Sequence, residues 1–232
     1  MYDSHFFDAA RLTAYVRGLP EVAWSDEVRG PTRVAIMTHD DHFDEEIYAW
    51  EQARGYRATW FLLSDEIGRV APDADVQLHY RMDRSCWLAD QIDEFAQRVG
   101  RLPVANRTHR LFRRGGYLDL ANLAMHGIRV DSTVQDGVPR RLCVQSRRLP
   151  IWELPFQVVD WPFVDASQRL YPTYNARPME WWFAHGESPV VGLFHPYLKE
   201  RVPWQDFYSC AARYGYQMMT VTEWEASCTM PA

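Results

Sequence analysis

Short apolar runs and longer runs of helical periodicity take turns along this chain. Arg33–Met37 reads as a buried strand and Phe43–Arg54 as a helix closed by Gly55. Ala58–Leu63 is a second apolar run, followed by a helical turn around Ser64–Gly68, and Val76–His79 is a brief strand. Ser85–Val99 places Trp87, Leu88, Ile92, Phe95, Ala96 and Val99 on one helical face, which belongs in a core, with Gly100 as its stop. Val104–Arg107 returns as a strand, Tyr117–His126 as a helix and Ile128–Val130 as a strand. Ile151–Phe156 is bracketed by Pro150 and Pro155, and residues 131–178 are the least regular stretch, where long loops are expected. Met179–His185 reads as a helix, Val190–Phe194 as a strand, and Trp204–Tyr214 and Gln217–Val221 close the series. Strands alternating with helices predict parallel βαβ units in one unit spanning residues 1–232, without internal repeats.

The ends of the strands carry the chemistry. Val34-Ala35-Ile36-Met37-Thr38 runs into His39, Asp40, Asp41 and His42. Adjacent carboxylates repel unless a cation or an arginine intervenes, and a divalent metal with a general base answers that problem. The competing reading is an exposed acidic turn before the helix beginning near Phe43. Val76–Leu78 ends at His79, Val104–Asn106 at Arg107 and His109, and Val190–Phe194 at His195. Residues two apart on a strand face the same way, so Arg107 and His109 are both expected to point into one mouth. Four strands ending in metal-ligand or acid–base residues describe a rim, where barrel active sites sit.

Composition narrows the picture. The chain has 232 residues, 47% hydrophobic, 24% charged, with net charge −6, which argues against nucleic-acid or anionic-membrane surfaces. No stretch approaches the ~20 apolar residues of a membrane span. Cys86, Cys143, Cys210 and Cys228 are widely spaced, and the acidic start Met1–Asp8 lacks the pattern of a signal peptide. These features predict reduced thiols and a cytoplasmic setting.

These motifs, in this order, resemble the polysaccharide deacetylase superfamily (the NodB homology domain, carbohydrate esterase family 4). Thr38-His39-Asp40-Asp41-His42 resembles its T-F-D-D-G motif, with His in place of Phe and of Gly. Asp75-Val76-Gln77-Leu78-His79 resembles the strand that supplies a metal histidine, and Arg107-Thr108-His109 fits the arginine of the third motif. Asp131-Ser132-Thr133 follows Gly127–Val130 as in the family, and Val191–Pro196 resembles the last motif, which provides a histidine acid. The match spans about residues 33 to 222.

The resemblance implies a deformed (β/α) barrel of about seven parallel strands. It also implies a metal-dependent hydrolase that removes an N-acyl group, acetyl or formyl, from an amino-sugar derivative, small or carrier-linked. Asp41, His79 and His109 would hold one divalent ion, zinc by its ligand types. The family's second metal histidine is replaced here by Asp83, so either Asp83 or His109 completes the set, and a helix cap before Ser85 is the competing role for Asp83. Asp40, beside Arg107, would be the base and His195 the acid, with Asp131 orienting His195 or pairing with Arg107. A backbone N–H near residue 42 or 110 would face the oxyanion. His42, Tyr80, Arg110 and Trp161 are candidates for substrate contact. Arg110, with Arg113 and Arg114, either binds an anionic substituent or forms a solvated basic turn. Two other readings stand beside this one: a catalytically silent carbohydrate-binding homologue, and a different metal-dependent amidohydrolase or phosphoesterase.

Overall fold

A computed structural model describes residues 9–18, 31–82, 87–111, 117–135, 139–144, 147–160, 178–185 and 188–228. After helix α1 (Ala9–Gly18) the chain alternates as β1 (Val34–Asp41), α2 (Glu45–Gln52), β2 (Ala58–Leu63), β3 (Asp75–Tyr80), α3 (Leu88–Val99), β4 (Ala105–Thr108), α4 (Tyr117–Met125) and β5 (Val130–Asp131). It continues through β6 (Arg140–Val144), β7 (Arg147–Glu153), β8 (Val158–Val159), α5 (Met179–His185), β9 (Val190–Phe194), α6 (Gln205–Arg213), β10 (Gln217–Met218) and α7 (Val221–Ser227).

The strands form one sheet in the order β6-β7-β5-β4-β3-β2-β1-β9-β8, with β10 beside Val34 and Ala35 of β1. Every pairing is parallel except β6 with β7. The stretch from β5 through β9 to β8 makes the seven parallel strands of a curled, deformed (β/α) barrel. The β6–β7 hairpin and β10 are additional, and they account for the excess over the expected seven. The hairpin occupies part of the stretch expected as loops. Its ladder shifts register between Arg141 and Cys143, and Pro150, which cannot donate to a ladder, sits across from that irregularity.

The pleat of β1 sorts its residues into two compartments. Val34 and Ile36 join Phe61, Ala105, Val130, Trp152, Val191 and Leu193 in one apolar cluster, the filling of the barrel. Ala35 and Met37 join the larger cluster beneath the helices, with Trp60, Val76, Leu78, Phe95 and Phe207. Strand residues that alternate faces and are buried on both sides give the near-continuous hydrophobic run seen in the sequence. Gly192 of β9 lies under α6, where an added Cβ would sit 2.8 Å from the Phe207 ring.

At the other end of the strands, Asp75 accepts from Thr59, Gln77 and Thr222, and the Gln77 side-chain Oε1 accepts from the N–H groups of Val104 and Ala105. Thr220 caps α7 there and exchanges hydrogen bonds with Glu223. This satisfied polar network closes one end of the barrel and leaves the chemistry at the other.

Two local expectations are corrected. α3 begins at Leu88 with Trp87 as its cap residue, and Asp90 Oδ2 accepts from Trp87 N–H, so Asp83 is not the cap. Trp87 is 43% exposed rather than part of the core, because it lies before the first helical turn.

Candidate active site

The rim forms where β1, β3, β4 and β9 end. Thr38 and Asp40 continue the inward parity of Val34 and Ile36, so the Asp40 carboxylate enters the barrel mouth. Alternation would turn Asp41 away. Its φ of +74° breaks the alternation, and Oδ1 faces the same mouth. Asp tolerates this left-handed backbone better than most residues, but such conformations persist where the surroundings enforce them. The turn is closed by His42 N–H donating to the Asp40 carbonyl at 3.1 Å, so that amide already has a partner within the turn. His42 itself stays outside the left-handed region, which explains why a glycine is not required there.

Asp41, His79 and His109 each offer one ligand atom, and the three atoms lie within 4.8 Å of one another. His79 Nδ1 lies 2.9 Å from the Arg107 carbonyl oxygen. A carbonyl only accepts, so Nδ1 carries the proton and Nε2 presents a lone pair, the arrangement of a metal-binding histidine. That lone pair faces Asp41 Oδ1 at 3.4 Å, and His109 Nε2 is 4.0 Å from the same oxygen. Asp41 Oδ1 is buried and makes no well-formed hydrogen bond. Lone pairs converging without a donor are what a cation would satisfy, and the donor set of one carboxylate and two imidazoles fits zinc. Burial raises the Asp41 pKa, but the contact with His79 and the charges of His79, His195 and His109 outweigh it and hold the carboxyl at about 2.

Arg107 is fully buried and every arm is engaged. Nη1 donates to Asp40 Oδ1 at 2.7 Å and to Thr38 Oγ1, while Nε and Nη2 donate to the Ser132 carbonyl and hydroxyl. The Phe61 ring lies 4.5 Å below the guanidinium. Burial lowers the arginine pKa, and the carboxylates of Asp40 and Asp131 oppose that shift. A planar fork with fixed donors orients Asp40 in a way lysine cannot.

His195 is 8% exposed, and its Nδ1 lies 2.9 Å from Asp160 Oδ2, which also accepts the His195 backbone N–H at 2.6 Å. Burial disfavours the charged imidazole. The hydrogen bond and charge of Asp160, with Asp40 and Asp41, overcome it and raise the pKa to about 9. Asp160 therefore takes the orienting place considered for Asp131. Asp131 stands in register with Asn106, one residue out of phase with Arg107, and accepts from Asn106 and Thr133 instead. Asp160 was absent from the sequence reading, although Val158-Val159-Asp160 repeats the pattern of an apolar strand ending in an acid.

The remaining candidates are scattered. Tyr80 is buried under α3 and α4 with Leu88 and Leu123, on the face away from the mouth, which removes the expected substrate contact. Arg110 is exposed, with φ +59°, beside His109, and makes no ion pair among the described residues. His42 is half-buried, its ring near Tyr197. Trp161, Asp83, Arg113 and Arg114 lie outside the described residues. Cys210 and Cys228 are free and buried, and no helix among the described residues is long and apolar enough to cross a membrane.

No protein-family model matches this sequence, and no curated protein matches it. Solved structures do. A CE4 family pseudoenzyme from Bacillus anthracis superposes with a TM-score of 0.52 at 11% identity, covering 85% of this chain and 66% of that one. A mutant of that pseudoenzyme with restored enzymatic activity gives 0.51 at 12% identity, over 85% and 69%. The Bc1960 peptidoglycan N-acetylglucosamine deacetylase gives 0.51 at 14% identity, over 87% of this chain and 93% of that one. The chain therefore has the fold of the NodB-like CE4 polysaccharide deacetylases.

Proposed function

We propose that this chain is a metal-dependent hydrolase that removes an N-acyl group, acetyl or formyl, from an amino-sugar derivative. One observation carries the reading: a cage of Asp41, His79 and His109 shares its mouth with an arginine-held carboxylate and a carboxylate-held imidazole. The fold, shared with polysaccharide deacetylases, supports the same class.

Asp41, His79 and His109 would hold one divalent ion, zinc by its donor set, which when bound lowers the pKa of a water and polarises an acyl carbonyl. Asp40 takes the proton of the attacking water. Its Oδ1 is engaged by Arg107, and its Oδ2 lies 4.0 Å from His79 Nε2, on the side of the cage. Arg107 does not titrate in this scheme; it fixes the direction of that carboxylate. His195, with Nδ1 held by Asp160, hands a proton from Nε2 to the departing amine. A pKa near 9 keeps it protonated at neutral pH, as an acid must be.

The test is metal analysis followed by acetate and formate release from a panel of N-acylated sugars, with Asp40→Asn and His79→Ala alongside the wild type. Asp40→Asn should keep the metal and lose most turnover; His79→Ala should lose both. Full turnover in Asp40→Asn would remove it as the base. Two metals per chain would favour a different metal hydrolase, and one metal with sugar binding but no release would mark a silent binder.

A further inference from the structure

Tyr197 stands on the rim two residues after His195, the imidazole assigned as acid, and it is 60% exposed. Its backbone is held on all sides. Pro196 fixes the start of the 3-10 turn Pro196–Leu198, Leu198 N–H donates to the His195 carbonyl at 2.9 Å, and Lys199 N–H donates to that of Pro196 at 3.0 Å. Lys199 Nζ then reaches Asp44 at 2.9 Å, on the turn that follows His42 at the end of the neighbouring strand β1, and Glu46. An ammonium–carboxylate link therefore ties the segment carrying Tyr197 to the segment carrying His42.

The two rings lie 23° from parallel with centroids 6.3 Å apart. A third ring sandwiched between them would need about 7 Å, twice the ~3.5 Å of van der Waals contact. A ligand ring therefore lies across the outer face of the pair. The Tyr197 ring is also 5.2 Å from that of His195. Its phenol is uncharged at neutral pH. The rim thus joins an uncharged, rigid aromatic face to a charged mouth. A ligand that fits has a polar acylamide at one end and a flat C–H face beside it.

We propose that Tyr197, backed by His42, is the platform on which the pyranose ring bearing the scissile N-acyl amine lies, and that it selects ring-borne amides over aliphatic ones. This rests on the deacylase reading above for its substrate, but its test does not need turnover. Zinc-loaded wild type, Tyr197→Ala and Tyr197→Phe would be titrated calorimetrically with the disaccharide of N-acetylglucosamine and with N-acetylethanolamine, and KM and kcat measured where acetate is released. Tyr197→Ala should weaken disaccharide binding and raise KM about tenfold, a loss equivalent to about 1.4 kcal/mol, with kcat nearly unchanged and N-acetylethanolamine unaffected. Tyr197→Phe, which keeps the ring face, should restore the affinity. Both variants should melt with the wild type, because the side chain is largely exposed.

Undiminished disaccharide binding in Tyr197→Ala overturns the inference. So does an equal loss with the aliphatic amide, or a loss in Tyr197→Phe as large as in Tyr197→Ala. A wild type that binds neither compound overturns it as well. A wild type that binds the disaccharide without releasing acetate ends the deacylase reading, while the binding comparison still judges the platform.

Discussion

Asp160 Oδ2 accepts two hydrogen bonds from His195, one from the backbone N–H and one from ring Nδ1. The carboxylate thereby fixes both the position and the proton of the imidazole. With a folded pKa of about 9 against the ordinary 6.5, the group contributes stability that is fully present below pH 6.5 and is lost as pH rises through 9. Melting the metal-free chain between pH 6 and 10 should show that alkaline decline in the wild type. Asp160→Asn should flatten it and move the alkaline limb of kcat toward neutral pH. An unchanged limb would show that another group is the acid.

Arg107→Met should destabilise the chain by about 3–5 kcal/mol, because it strands the buried Asp40 carboxylate and leaves Ser132 and Thr38 short of donors. Urea unfolding measures it. The double variant Arg107→Met with Asp40→Leu should recover much of that loss without recovering activity.

Glu51, buried on α2, binds His39 Nε2 of β1 at 2.7 Å and accepts the Tyr208 hydroxyl of α6. Its two partners are packed by aromatic rings, His39 by Trp60 at 4.3 Å and Tyr208 by Tyr56 at 4.4 Å between centroids. Tyr208→Phe removes a single hydroxyl from that carboxylate and should cost about 1–3 kcal/mol. Denaturant midpoints at constant m would register the change.

Gly192→Ala should lower stability by about 1–3 kcal/mol through overpacking, since the new methyl meets the fully buried Phe207 ring at 2.8 Å. Pairing it with Phe207→Leu should return part of the loss. If Gly192→Ala alone melts with the wild type, α6 is free to shift outward.

Much of this arrangement was legible in the sequence because β1 and β9 are apolar runs, and β3 and β4 short extended segments, that end in functional residues. Arg107 and His109 could be placed on one side from the two-residue period alone. The period failed at Asp41, where a left-handed backbone overrides alternation, and no residue pattern announces that. Asp160 and Tyr197 were missed for different reasons. The strand before Asp160 is only Val158–Val159, too short to show a period, and Tyr197 becomes notable only through its neighbours in space. The β6–β7 hairpin was hidden by two prolines and by paired arginines, which carry no strand signature. Asp131 looked equivalent to the other strand-end acids until its register with Asn106 put it out of phase.

The two-sided pleat of β1 makes this site intolerant of a frame change. Sliding the strand by one residue would carry His39 into the barrel and deliver Asp40 to the aromatic layer of Trp60 and Trp204 that now packs on His39. A buried carboxylate would then face indole rings, and Arg107 would face an imidazole. Neither compartment can accept the other's residue, so the chemistry itself becomes a register pin. A single-residue insertion or deletion between Val34 and Thr38 should therefore abolish folding and metal binding together, where the same change in an exposed loop would be absorbed.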